Sequence, residues 1–130
     1  MVLDSEGLWV VARNDSEDAR AVLAVSRQAG VPVPVPAAVL AGTLFGDECD
    51  TRANQALKKL QVVPLTESVA RSAAELKRLA GMTGVASTIG AIVVATSAAV
   101  GGGVVLTSDV DDVRALASRA RGSRIRPVRV

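Results

Sequence analysis

Short apolar runs alternate with amphipathic stretches along nearly the whole chain. Runs of branched aliphatic residues predict strands over residues 1–4, 31–35, 62–65, 103–107 and 125–130. Apolar residues at three- and four-residue spacing predict helices over residues 5–13, 17–29, 36–44, 51–60, 66–79, 85–100 and 109–121. Because strands and helices alternate without a repeat or linker, the pattern predicts one α/β domain over residues 1–130, with a parallel sheet flanked by helices.

Turn-forming residues mark the ends of several of these elements. Asn14-Asp15-Ser16 carries capping residues and predicts a break between the first two helices. Gly30 is a typical helix stop. The prolines within residues 31–35 predict a short or irregular strand, because proline cannot donate to a sheet ladder. Gly101-Gly102-Gly103 precedes a strand and opens no helix, so it predicts a tight turn and not a phosphate-binding loop.

Residues 79–108 carry no charge, and this run is long enough to resemble a membrane span. Six of its residues are glycine, and the others are rich in alanine, serine and threonine. The run therefore predicts a buried helix, a glycine turn and a buried strand, with no contact with a membrane. At the start of the chain, Asp4 and Glu6 interrupt the apolar residues, so no signal peptide is expected there.

Composition narrows the possible chemistry. Histidine is absent, which excludes Ser-His and Cys-His nucleophiles and histidine-bound metals. The single cysteine, Cys49, excludes an internal disulfide and a CxxC zinc site, and it fits a reducing cytoplasm. Alanine and valine supply 22 residues each, whereas Trp9 and Phe45 are the only aromatic residues, so we expect a core of small aliphatic side chains. Catalysis would depend on the 13 carboxylates, on hydroxyls or lysines, or on a bound cofactor.

Trp9 and Cys49 are each expected to have no catalytic role. Trp9 is expected in the core or in an interface. Cys49 lies beside three acids, which should raise the pKa of its thiol and make it an unreactive surface group.

The formal net charge of +2 conceals an uneven distribution. Residues 1–112 contain nine basic and 13 acidic residues, whereas residues 113–130 contain six arginines and no acid. An arginine-rich end favours a phosphate backbone or an acidic partner. Arg114, Arg119 and Arg121 are the candidate nucleic-acid contacts on the last predicted helix. The alternative is a solvated helix face and an edge strand, since no aromatic residue interleaves these arginines to stack bases.

Acidic residues follow two of the predicted buried strands. Asp4 comes directly after the first strand, and Asp109 comes shortly after the strand over residues 103–107. Because ligands collect at the carboxyl ends of parallel strands, these acids should face one crevice. Asp111 and Asp112 add charge beside Asp109, and carboxylate oxygens are the ligands that Mg²⁺ prefers. The alternative is that Asp4 and Asp109 simply cap the helices that follow.

Four segments of the chain, in this order and spacing, resemble those of a known family: MVLDSEGL (1–8), VPAAVLA (35–41), AIVVAT (91–96) and VLTSDVDD (105–112). Together they look like a PIN domain of the VapC-type toxins, over nearly the whole chain. The resemblance implies a three-layer α/β/α fold with a small, mainly parallel, twisted sheet. It also implies Mg²⁺- or Mn²⁺-dependent cleavage of RNA by metal-assisted phosphodiester hydrolysis, and neutralisation by a cognate antitoxin.

The resemblance also assigns roles to individual residues. Asp4 matches the first acid of the family's active site and Asp109 the last, so these two would be the catalytic metal ligands. Thr107 matches the hydroxyl that usually precedes the last acid by two residues. Asp112 and Ser5 would support the ligands.

Two further acids of the family pattern are missing. Gly42 stands where a Glu usually follows the VPAAVLA segment, and Gly90 stands where an Asp usually precedes AIVVAT. Glycine cannot ligate a metal. Asp47 and Glu48 are no replacement, because on a helix they would lie about 140° and 240° around the axis from Gly42. We therefore expect a metal site that is weak or absent, in a naturally degenerate member or in a descendant of an active toxin.

Three hypotheses for the function follow. The chain is a ribonuclease toxin with impaired activity, a catalytically dead PIN scaffold that binds RNA or an antitoxin, or an unrelated α/β protein that binds a small molecule. The absence of a nucleotide fingerprint disfavours the third hypothesis. Small apolar faces also predict a homodimer.

Overall fold

The computed structural model describes residues 1–14 and 16–130. Of the predicted break at residues 14–16, Asp15 lies outside the described residues. The helices are α1 (Ser5–Arg13), α2 (Glu17–Gln28), α3 (Ala37–Thr43), α4 (Thr51–Leu57), α5 (Glu67–Leu79), α6 (Thr88–Ala99) and α7 (Val110–Ala117), with a 3₁₀ turn over Glu48–Asp50. The strands are β1 (Val2–Leu3), β2 (Pro34–Pro36), β3 (Gln61–Val63), β4 (Gly103–Thr107) and β5 (Ile125–Arg129).

All described strand pairs are parallel, as the alternation of strands and helices predicts. β4 lies between β1 and β5, with Leu3 opposite Leu106 and Val105 opposite Pro127. β2 pairs with β3 and lies against β1 without a shared ladder. The five strands therefore follow one another in the spatial order β3, β2, β1, β4, β5.

Helices cover both sides of this layer. Leu106 of β4 lies under Gly7 of α1, and Leu106 and Val104 also line a cavity with residues of α1 and α2. Because side chains alternate along a strand, Val105 points to the other side. There α6 packs against β1, β2, β4 and β5 and is itself flanked by α5 and α7. The result is the expected three-layer α/β/α arrangement.

The core consists of small aliphatic side chains, as the composition predicts. Seven consecutive residues of α6, from Ala91 to Ser97, are buried. They pack with Val2, Leu3, Val105 and Leu8 in one hydrophobic cluster, apart from the polar Thr96 and Ser97. The uncharged run is thus a central helix followed by a central strand. In residues 1–14 and 16–130, no helix is both long and apolar enough to span a bilayer.

Several predicted boundaries are wrong, and the corrections have a common cause. α4 stops at Leu57, and its last turn tightens into bonds from Lys59 N–H to Ala56 C=O and from Leu60 N–H to Leu57 C=O. α7 stops at Ala117 with similar bonds. These tight turns direct the chain into β3 and towards β5, so tertiary packing ends helices that the apolar spacing would continue.

The start of α6 and the limits of two strands also differ from prediction. α6 begins at Thr88, not at residue 85, because residues 85–87 form a turn. The Lys77 ammonium donates to Gly84 C=O and to Thr88 Oγ1 and so holds this turn against the end of α5. β2 begins at Pro34 and β3 ends at Val63, which makes both strands short.

Candidate functional site

The carboxyl ends of β1 and β4 place the two predicted acids beside one another. Asp4 continues β1, and its N–H donates to Leu106 C=O at 3.2 Å. Thr107 is the last residue of β4, and Asp109 follows two residues later, immediately before α7. The parallel pairing of β1 with β4 therefore brings residues from opposite ends of the sequence to one edge of the sheet.

Asp4 caps α1 and also belongs to a polar chain at this edge. Its Oδ1 accepts the Gly7 N–H at 2.7 Å, and the nearby Thr107 hydroxyl lowers the pKa of its carboxyl group. Thr107 Oγ1 in turn accepts the Asp109 N–H at 2.9 Å. Burial raises the pKa of Asp4, and the Gly7 N–H and the Thr107 hydroxyl offset part of that rise. The capping role and the role in the cluster thus coexist at Asp4.

Asp109 and Asp112 form the second half of the cluster. Asp109 precedes α7, but its side chain makes no capping hydrogen bond with the helix. The negative charge of Asp109 raises the pKa of Asp112, which lies almost one turn further along. Both side chains are exposed. Because Asp109 makes no capping bond, capping does not explain the acid at position 109.

Replacement of Asp4 by Asn should change how the free energy of unfolding depends on pH. The pKa of Asp4 is higher in the folded chain than its ordinary value of 3.8, so ionisation of Asp4 favours the unfolded chain. The unmodified chain should accordingly lose stability relative to Asp4→Asn as pH rises from about 4 to neutrality. Asn keeps an oxygen for the Gly7 N–H. Urea unfolding at several pH values tests this, and a difference that does not change with pH would contradict it.

Asp4, Asp109 and Asp112 line a cavity of about 160 Å³, which we call the acid cavity. Its walls contain five of the predicted residues and one of the two glycines, namely Asp4, Ser5, Thr107, Asp109, Asp112 and Gly90. The sequence did not reveal Glu6, Ser87 or Ser108, which also contribute. Ser87 precedes α6, caps no backbone N–H and has a buried Oγ without a hydrogen-bond partner among the described residues. A prediction of where α6 begins would have been needed to find it.

Both glycines at the positions of missing acids leave room for a side chain. A Cβ at Gly90 would meet only Leu116 Cδ1, at 3.7 Å. A Cβ at Gly42 would meet only Ser5 Oγ, at 3.8 Å, which places Gly42 beside a residue of the cavity wall. These are ordinary van der Waals distances, so packing against the rest of the fold does not require glycine at either position.

The residues present do not make a complete divalent-metal centre. Their oxygens are the right donors for Mg²⁺ or Mn²⁺, and Asp4 and Asp109 would be the ligands. In residues 1–14 and 16–130, however, no three acidic, cysteine or histidine side chains come together in a way that could hold a metal ion. Asp47 accepts the Cys49 N–H at 2.8 Å and does not line the cavity. Asp47 therefore does not replace a missing carboxylate, as its position along the sequence predicts.

The arginines predicted as nucleic-acid contacts do not line the cavity that contains Asp4 and Asp109. Arg114 pairs with Asp111 at 2.7 Å. Arg119 and Arg121 follow the far end of α7 and line a different cavity, against α5 and α6. Cys49 is exposed, and Asp47 raises the pKa of its thiol, as the neighbouring acids predict.

Comparisons with known proteins match this chain to solved structures but not to a family model or a curated protein. No protein-family model matches the sequence, and no curated protein matches it. Among solved structures, the DNA-bound VapBC complex of Salmonella typhimurium contains a chain with a TM-score of 0.66 and 17% identity, over 98% of this chain and 96% of that chain. A chain of VapBC2 from Rickettsia felis, bound to a promoter DNA fragment, has a TM-score of 0.65 and 11% identity. The match covers 99% of this chain and 97% of that chain.

This chain has the PIN-domain fold. The PIN fold confirms the predicted α/β class and the structural part of the resemblance to VapC-type toxins. Both matches extend over nearly the full length of each chain, so the likeness includes the edge of the sheet at which Asp4 and Asp109 lie.

Proposed function

We propose that this chain is a toxin-type PIN domain that binds a cognate antitoxin and has lost most or all of its ribonuclease activity. The observation that carries the proposal is the cavity at the carboxyl ends of β1 and β4. Asp4, Asp109 and Asp112 line it where the resemblance requires acids, whereas Gly90 lines it where another acid would stand. The site therefore has the position and residue types of a nuclease centre but an incomplete set of carboxylates.

Loss of activity follows from the positions of the acids, because Gly42 and Gly90 stand where the resemblance places two of them. A divalent ion held by Asp4 and Asp109 would supply Lewis-acid stabilisation of a phosphate and a more acidic water. Here Asp4 already accepts the Gly7 N–H and is partly shielded from solvent, while Asp109 and Asp112 stand close enough to repel each other. The residues of this chain therefore do not supply the set of carboxylates that the family's chemistry needs.

An aromatic pair formed by a half-buried Trp9 and an exposed Phe45 supports the binding of a protein partner. Trp9 of α1 and Phe45, after α3, have ring centroids 6.5 Å apart, and Phe45 is 73% exposed. The Arg13 guanidinium lies 5.6 Å from the Trp9 ring. These are the only two aromatic residues of the chain, and they meet at the surface. Large aromatic side chains and arginine dominate the energetics of protein interfaces, so this aromatic patch is the proposed antitoxin contact.

Replacement of Phe45 by Ala should weaken antitoxin binding by about 30-fold, as expected for an interface residue that contributes about 2 kcal/mol. Calorimetric titration with the protein encoded alongside this chain measures the effect. Val85→Ala is the matched control, because Val85 is 86% exposed and does not belong to the aromatic patch. Equal affinities of Phe45→Ala and the unmodified chain would exclude the aromatic patch, and no binding by the unmodified chain would exclude the antitoxin.

The expected homodimer remains a prediction. It would use small apolar faces of this fold, and it is independent of the acid cavity. Sedimentation equilibrium over a range of concentrations tests it, and a mass of 13.3 kDa at every concentration would contradict it.

A further inference from the structure

The last eighteen residues place arginines along one open edge of the sheet. β5 is hydrogen-bonded to β4 on one side, and on the other side it borders no strand formed by residues 1–14 or 16–130. Arg124 precedes β5, and Arg126 and Arg129 belong to it. All three side chains are exposed. Arg124 to Arg129 covers about 17 Å at the rise of an extended strand. We call these three residues the β5 arginine strip.

A groove of about 600 Å³ lies beside the lower part of this strip. Arg114, Arg124 and Arg126 line it together with Ser123, over a floor that includes Val104 and Ile125. No acidic residue in the described part of the chain contributes to its wall. The groove is therefore a concave surface in which positive charge and hydrogen-bond donors converge.

The arginines of the strip are not neutralised by the fold. Arg114 pairs with Asp111, but no carboxylate in the described ranges lies at ion-pair distance from Arg124, Arg126 or Arg129. The Arg129 guanidinium donates to Ser108 C=O at 3.0 Å, which holds it at the wall of the acid cavity. Arg129 comes three residues after Arg126, so it lies on the opposite face of β5 from Arg124 and Arg126. The strip therefore follows the edge of the sheet from the groove to the candidate site and does not form one continuous face.

The glycine turn before β4 fixes the backbone at the lower end of the strip. Gly103 N–H donates to Arg124 C=O at 2.7 Å. A Cβ at Gly102 would lie 2.5 Å from the same carbonyl oxygen, and Gly102 has a φ of +88°. This close approach requires glycine at position 102. The Gly101–Gly103 triplet therefore positions Arg124 in addition to ending α6.

We propose that the β5 arginine strip binds the phosphate backbone of RNA and guides it towards the acid cavity. Guanidinium groups contact phosphates in a bidentate manner, and such contacts position a nucleic acid without recognising its sequence. Arg124 and Arg126 lie on the same face, about 6.6 Å apart along the chain. The assignment of RNA as the nucleic acid rests on the proposed function, whereas the charge and the groove do not.

Fluorescence anisotropy with a short labelled single-stranded RNA, in buffer containing EDTA, tests the proposal. Three phosphate contacts predict a slope of about −2 for log affinity against log salt. Arg124→Gln/Arg126→Gln should weaken binding about 10-fold or more and reduce the slope by about 1.4. Arg124→Lys/Arg126→Lys should keep most of the slope, because it keeps both charges.

The matched control is Arg20→Gln/Arg52→Gln, which removes the same net charge from exposed positions on α2 and α4. Equal weakening by the control and by the strip variant would overturn the proposal, as would no RNA binding by the unmodified chain. Tighter binding to a DNA of the same sequence would overturn the choice of RNA. Antitoxin titration of the strip variant separates the two proposals: we expect unchanged affinity, and a loss would assign the strip to the protein partner.

Discussion

Gly42→Glu/Gly90→Asp is expected to cleave RNA in the presence of Mn²⁺, whereas the unmodified chain should remain at background. The two substitutions would complete a four-acid cluster with Asp4 and Asp109. The Cβ atom that each substitution adds has room, because its nearest heavy atom would be 3.8 Å away at Gly42 and 3.7 Å away at Gly90. Removing even an outer partner of a metal site costs about 10–100-fold in activity, so restoring two acids should increase cleavage by about 100-fold or more.

Gly42→Gln/Gly90→Asn is the matched control, because it adds side chains of similar size without negative charge. Cleavage of a labelled RNA should be seen with the acidic pair only. Cleavage by the unmodified chain at a rate equal to that of the acidic pair would contradict the loss of activity. No cleavage by the acidic pair would show that more than two carboxylates separate this chain from an active nuclease.

Thermal unfolding provides a second readout that does not depend on cleavage. A ligand that binds only the folded chain stabilises it by about 2.7 kcal/mol when its concentration is 100 times Kd. Mn²⁺ should therefore raise the midpoint temperature of unfolding of Gly42→Glu/Gly90→Asp. It should leave the midpoint temperature of Gly42→Gln/Gly90→Asn almost unchanged. A rise in midpoint without cleavage would place the missing requirement in RNA positioning and not in metal binding.

Gly7→Ala should lower the free energy of unfolding by about 1–3 kcal/mol, the usual cost of overpacking a filled interior. A Cβ at Gly7 would lie 2.7 Å from Leu106 O and 3.1 Å from Leu106 Cβ. The oxygen belongs to the backbone of a central strand and cannot rotate away. The same oxygen accepts the Asp4 N–H, so moving α1 outward would also disturb the first acid of the candidate site.

Gly90→Ala is the matched substitution at a helical position where a Cβ atom has room. It should raise the free energy of unfolding. Ala is more favourable than Gly in a helix by about 0.8–1 kcal/mol, and the only near contact is the 3.7 Å approach to Leu116 Cδ1. Urea unfolding measures both variants. Destabilisation by Gly90→Ala comparable to that by Gly7→Ala would contradict the packing seen at the two positions.

The sequence predicted the residues of the candidate site more accurately than it predicted most of the helix ends. Asp4 and Asp109 follow buried apolar runs, and parallel strands bring such positions to one edge, so sequence spacing was sufficient to bring them together. Glu6 and Ser87 were not predicted. Glu6 resembles any acid in the first turn of a helix, and Ser87 resembles any residue in a helix until the beginning of α6 is known.

The sequence by itself determined the α/β class, the strand that precedes each of the two acids, and the absence of carboxylates at positions 42 and 90. These features are local: residue identity and the periods of strands and helices are sufficient to establish them. Only the tertiary structure decided that α7 ends at Ala117 and that Arg119 and Arg121 do not line the acid cavity. It also separated a crowded Gly7 from an uncrowded Gly90, because long-range packing determines how much space surrounds a residue.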